Sequence, residues 1–120
     1  MNAPYTHEFW TAVDKLVSSS EIIIDRPRGS AHPRFSHVVY PLDYGYLKGT
    51  SSMDNSGIDI WKGSLQTNTP DALIITVDLM KRDSEIKLLI GLTEEEKSNV
   101  LAFHNDSIYM KAILIARDGN

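Results

Sequence analysis

The sequence contains no cysteine. Disulfides, thiolate zinc sites and cysteine nucleophiles are therefore excluded, and the fold must stand on its apolar core, which suits a reducing interior. No stretch approaches the roughly 18 consecutive apolar residues of a membrane span, so no membrane role is expected. A basic excess is also missing. Lys and Arg number 12 against 16 Asp and Glu, for a formal net charge of -4. That balance argues against a general nucleic-acid binder and against an acidic-membrane binder. An acidic chain can still hold an anion when a metal ion supplies the positive charge. The opening MNAPYTHEFW has neither a basic start nor an apolar run. A secretory leader is thus not expected, and the expected location is cytoplasmic. Internal repeats, linkers and low-complexity tracts are absent as well.

The 120 residues, 42% hydrophobic and 23% charged, fit one ordered domain over residues 1–120 with a single core. Phe9, Trp10, Val13, Leu16 and Val17 recur at helical spacing, which predicts a helix over Thr6 to Val17 with Thr6 as N-cap. Glu21 to Asp25 reads as a β-branched strand, broken by Pro27 and Gly29. Further extended segments are expected at His32 to Tyr40, Tyr44 to Leu47, Ile58 to Trp61, Leu73 to Met80, Glu85 to Ile90 and Tyr109 to Ala116. Thr93 with Glu96 forms a capping-box signature for a helix running to about His104. Short strands and turn-rich connections, with a helix near each end, predict a mainly β fold: a small five-stranded closed, OB-like barrel.

Three clusters carry potential chemistry. Asp54 and Asp59 flank a glycine-bearing turn, and Asp59 shares a strand face with Trp61. Glu85 and Lys87, two apart, share another face, and Tyr40, Tyr44 and Tyr46 crowd the loop before them. Each has a plainer reading: Asp54 as a turn residue, the Glu85/Lys87 pair as a solvated strand face, the tyrosines as packing. Converging carboxylates repel by about 4 kcal/mol at 4 Å and a dielectric of 20, so they call for a cation. An all-oxygen donor set suits magnesium, with manganese also admitted. The four histidines are scattered without zinc spacing.

The run Tyr40-Pro41-Leu42-Asp43-Tyr44-Gly45-Tyr46, followed by Thr50, Asp54 and Asp59, resembles the core of the soluble inorganic pyrophosphatase family. Asp25-Arg26-Pro27-Arg28-Gly29-Ser30 resembles that family's Glu-Ile-Pro-Lys-Gly-Ser, and Glu85-Ile86-Lys87 its Asp-Ala-Lys. The resemblance covers residues 25 to 87 and implies a five-stranded barrel that hydrolyses pyrophosphate with several magnesium ions. It implies Asp54, Asp59, Glu85, Asp83 and Asp25 as metal ligands, with Asp78 the alternative to Asp83. It implies Arg34, Tyr44 and Lys87 as phosphate contacts, and Asp59, Tyr44 and Lys87 as the catalytic group. The family's middle metal-motif aspartate is Ser56 here, the glutamate of its first hairpin is Ser36, and its C-terminal Tyr-Lys pair is missing, with His104-Asn105 near that place. Asp43 is the candidate to replace the lost base. The partner implied is a small phosphate-containing substrate, to be hydrolysed or only bound. An oligonucleotide-binding barrel is disfavoured by the charge. The helix bearing Phe9 and Trp10 could serve a homo-oligomer contact or cover the chain's own barrel.

Overall fold

A computed structural model describes residues 3–52 and 56–117. The chain runs α1 (Thr6–Ser18), β1 (Glu21–Arg26), β2 (Asp43–Lys48), β3 (Ile58–Lys62), β4 (Pro70–Asp78), β5 (Asp83–Ile90), α2 (Glu94–Asn105) and β6 (Met110–Ala116). The strands form one mixed sheet in the order β1-β2-β3-β5-β4-β6. Only β3 and β5 run parallel; the other neighbours are antiparallel.

The expected closed five-stranded barrel is therefore corrected to an open six-stranded sheet, with β1 and β6 as its two edges. A physical reason for the open end lies at β6. The Asn105 side chain donates to the Ala112 carbonyl at 3.1 Å and accepts from the Ala112 N–H at 3.1 Å. An amide from α2 thus takes the place of a strand at that edge. The expected extended segment His32 to Tyr40 is not a strand either. It belongs to a loop pinned by the single Ala31–Val39 bridge, in which Pro33 cannot donate to a ladder.

Each face of the sheet carries one helix. On one face Trp10, Val13 and Val17 of α1 pack on Leu47, Ile60, Leu73, Leu88 and Ile90. On the other, Val100 of α2 packs with Tyr40, Leu42, Trp61, Ile74, Leu89 and Leu92. The N-cap of α1 lies one residue before the expected Thr6: Tyr5 occupies it in a left-handed conformation, while the Thr6 hydroxyl donates to the Ala3 carbonyl at 2.8 Å. At α2 the capping box is present. Thr93 Oγ1 accepts from the Glu96 N–H at 3.1 Å, and Glu96 Oε1 accepts from the Thr93 N–H at 2.9 Å.

One irregularity decides what reaches the α2 face. Ile22 and Ile24 pack on the α1 side. Strict alternation would send Arg26 the same way. The pairing with β2 instead shifts between Ile24, opposite Gly45, and Arg26, opposite Tyr44, leaving Asp25 as the extra residue of a bulge. Gly45 and Tyr44 are consecutive, so the bulge moves Arg26 to the Tyr44 face. Gly45 permits this approach: a Cβ there would lie 1.7 Å from the Ile23 carbonyl oxygen.

Gly45→Ala is expected to cost about 3 kcal/mol or more, because backbone rather than a yielding side chain must move. Gly49→Ala, where the demand is a positive φ of 84° with open space around it, should cost about 1–2 kcal/mol. Urea midpoints of the two variants give the ranking, and equal losses would contradict the close-approach account.

Candidate active site

Four side chains from three strands meet on the α2 face. Tyr44 comes from β2, Asp59 from β3, and Glu85 and Lys87 from β5. Pairing of Ile60 with Leu88 across the parallel β3/β5 ladder places Asp59 and Lys87 on a common face. Antiparallel pairing of Tyr46 with Asp59 and of Tyr44 with Trp61 brings the tyrosine to the same face.

Lys87 is the hub and is only 4% exposed. Its ammonium donates to the Tyr44 hydroxyl at 2.8 Å, to Asp59 Oδ2 at 2.8 Å and to Glu85 Oε2 at 3.2 Å. An ammonium has three protons, and each has a partner. The Tyr44 hydroxyl in turn donates to Asp59 Oδ2 at 2.7 Å. Burial alone would push the Lys87 pKa down, but the oxygens of Tyr44 and Asp59 outweigh it and hold the group charged, above its ordinary value. Burial pushes the Tyr44 hydroxyl up, so it stays protonated and remains a donor.

The remaining predicted residues are dispersed around this cluster. Asp54 lies outside the described residues. Asp25 is exposed on the β1 bulge. Asp83 opens β5 and shares the Glu85/Lys87 face by i, i+2 spacing. Asp78 is its direct cross-strand partner, so both lie on that face whichever one is chosen. Asp78 Oδ1 is engaged by the Met80 and Lys81 N–H groups at 2.9 and 3.1 Å. Arg34 is exposed on the loop, where its backbone N–H donates to His32 Nδ1 at 3.0 Å. Asp43, the candidate substitute base, accepts from the Arg28 N–H at 2.8 Å and so tethers the loop.

The sequence reading passed over Arg26 and gave His104 no distinct part. Arg26 reaches the site face through the bulge and donates to the Tyr40 hydroxyl. His104 lies beneath Trp61, whose Nε1–H donates to His104 Nε2 at 3.0 Å. Glycine after Tyr44 hinted at close strand approach, but no local pattern announces a bulge.

Among the described residues no three His, Asp or Glu side chains gather as a metal cage. Asp59 and Glu85 nevertheless each direct only one oxygen to Lys87, and Asp59 Oδ1 and Glu85 Oε1 have no hydrogen-bond partner among the described residues. Two carboxylate oxygens completed by waters and phosphate oxygens match how magnesium is commonly held.

Neither a family model nor a curated protein matches the chain. Solved structures do. One is an inorganic phosphatase from Anaplasma phagocytophilum, at 12% identity and TM-score 0.54, covering 79% of this chain and 81% of that one. Another is an inorganic pyrophosphatase from Coxiella burnetii, at 11% identity and TM-score 0.58, covering 82% and 86%. At this identity the likeness establishes a shared fold. No helix among the described residues is long and apolar enough to cross a membrane.

Burial pushes His104 down to about 3, with Lys87 adding to the shift and Asp59 opposing it. The folded protein therefore keeps this imidazole neutral while the unfolded chain protonates it below about pH 6.5. The unfolded state then binds more protons, so stability is lost as pH is lowered between those values, by up to about 1.4 kcal/mol per pH unit. Urea unfolding at pH 7 and pH 5 should show the loss. His104→Gln, which can still accept from Trp61, should flatten it; an unchanged slope would assign the effect to other groups.

Proposed function

We propose that this protein is a hydrolase of phosphoanhydrides, with inorganic pyrophosphate as substrate and magnesium, or manganese, as cofactor. The observation that supports it best is the buried Lys87 bonded to Tyr44, Asp59 and Glu85, in a fold shared with an inorganic pyrophosphatase. On binding, Lys87 would turn to a phosphate oxygen the proton it now shares with Glu85, and the Tyr44 hydroxyl would turn there the proton that Asp59 Oδ2 now accepts. Asp59 Oδ1 and Glu85 Oε1 would hold the cation, which supplies charge neutralisation and a more acidic bound water. Asp59 Oδ2, from which the Tyr44 proton has then turned away, would receive the proton of an attacking water, with Lys87 still fixing that carboxylate. Positioning and electrostatics carry most of phosphoryl transfer, so a rigid, charged and partly dry floor is the appropriate machinery. The chain is read as acting in the cytoplasm.

A second reading is binding of phosphate or a nucleotide without turnover. Ser56, in place of an aspartate, favours it, because a hydroxyl is a poor base near neutral pH.

Phosphate release from pyrophosphate, assayed with magnesium and then manganese, separates the two. Metal-dependent release should fall at least about a hundredfold in Asp59→Asn, which keeps the side-chain shape but removes the charge. Release indifferent to metal and to Asp59→Asn would defeat the hydrolase reading. A folded wild type that binds pyrophosphate and releases nothing would establish the binding one.

A further inference from the structure

Beside the Lys87 floor stands a second, differently built group of donors. The bulge at Asp25 sets Arg26 directly across from Tyr44. Facing residues on paired strands have Cβ atoms about 5 Å apart, so the Arg26 side chain leaves the sheet next to the Tyr44 ring. Its guanidinium lies 5.5 Å from the Tyr40 ring centroid and donates to the Tyr40 hydroxyl. Tyr40 is buried and its ring lies 5.4 Å from that of Tyr44, so this anchor is rigid and adjoins the floor. One proton of the guanidinium fork is used by Tyr40, and no described side chain or carbonyl takes the others.

His32 stacks on the same Tyr40 ring, at 6.2 Å and 10°. Its Nδ1 accepts from the Arg34 and Phe35 N–H groups at 3.0 and 3.3 Å. The ring proton must then sit on Nε2, which has no partner among the described residues. Partial burial, and then the positive charges of Arg26, Arg34 and Lys81, push the His32 pKa down, so the ring stays neutral and offers Nε2–H as a donor. Arg34 itself contributes its backbone to hold His32, while its side chain stands in solvent.

We propose that Arg26 and His32, rather than Arg34, form a second anion pole, which receives the far phosphoryl group of a substrate whose near group lies at Lys87 and Tyr44. The inference rests on the pyrophosphatase reading of the floor and specifies it: two poles side by side select a diphosphate over orthophosphate. Arginine suits the role because its planar fork can still present paired donors to phosphate oxygens after one is spent on Tyr40. The aromatic seat holds the guanidinium in place without neutralising it.

The test uses wild type, Arg26→Met, Arg26→Lys, His32→Gln, Arg34→Ala and Tyr40→Phe, with pyrophosphate and orthophosphate as probes, in steady-state kinetics and calorimetry with magnesium. Arg26→Met is expected to raise KM and Kd for pyrophosphate about tenfold or more, as befits a lost charge-assisted pair. Orthophosphate binding and kcat should change far less. Arg26→Lys should recover part of the loss, and Arg34→Ala should stay within about threefold of wild type, as exposed charges do. A merely structural Arg26 would be mimicked by Tyr40→Phe, which removes the hydroxyl but keeps the guanidinium; matching losses in those two variants overturn the proposal. So does loss on Arg34→Ala with Arg26→Met unaffected. Turnover that ignores Arg26 removes this inference and leaves the hydrolase reading standing. Arg26-dependent binding without turnover does the reverse. No binding of either anion by folded wild type, with or without magnesium, ends both.

Discussion

A buried ammonium group has to be answered on every side from which water has been removed, and Lys87 sets that condition for the whole α2 face of the sheet. Leaving such a charge unpaired costs several kcal/mol, far more than a surface ion pair returns. Its three partners come from β2, β3 and β5, so the pairing of those strands is fixed by chemistry as well as by apolar packing. A one-residue slip of β3 would turn Asp59 toward α1 and leave Lys87 short of its nearest carboxylate. The parallel β3/β5 ladder is the step that makes the arrangement local, because it sets Asp59 and Lys87 beside each other although 28 positions separate them.

The same face shows how an edge strand can be made to contribute. With regular pairing β1 would offer isoleucines to α1 and nothing cationic to the site. The bulge changes the facing of every residue after it, and here that residue is Arg26. The device depends on β2, since only glycine at position 45 lets the Ile23 carbonyl come so near. Gly45 therefore has a backbone reason, and Tyr44 beside it a chemical one.

Much of this could be read in the sequence, and the exceptions have physical causes. The alternation placing Asp59 with Trp61, the Glu85/Lys87 pair and the Thr93–Glu96 capping box all depend on neighbours within four residues, and all are present; of the expected α1 face Trp10, Val13 and Val17 are buried, while Phe9 and Leu16 are exposed. The shape of the sheet was not legible. Whether strands close on themselves is decided by long-range pairing, and at β6 by one Asn105 side chain. The bulge was hidden for a similar reason: Asp25 looks like any strand residue until Gly45 is placed opposite its predecessor. The sequence offers Asp78 and Asp83 as alternatives, since a one-residue change of hairpin register reverses the face of a strand residue. As cross-strand partners they share a face, and the turn N–H groups, not register, are what distinguish them.

Charge explains how an acidic chain could serve an anion. Among the described residues the floor holds two carboxylates against one ammonium, a residual single negative charge. One divalent cation bound there would turn the floor positive, whereas a floor with a further aspartate in place of Ser56 would need more cation charge to do the same. On the proposed reading, a serine at position 56 would leave a weaker base but would also lower the cation charge needed before phosphate is attracted. Arg26 works in the same direction, since it brings fixed positive charge to the rim without any ion. On the proposed reading, then, holding the substrate would depend less on bound metal than activating water would, because Arg26 brings charge that no ion has to supply.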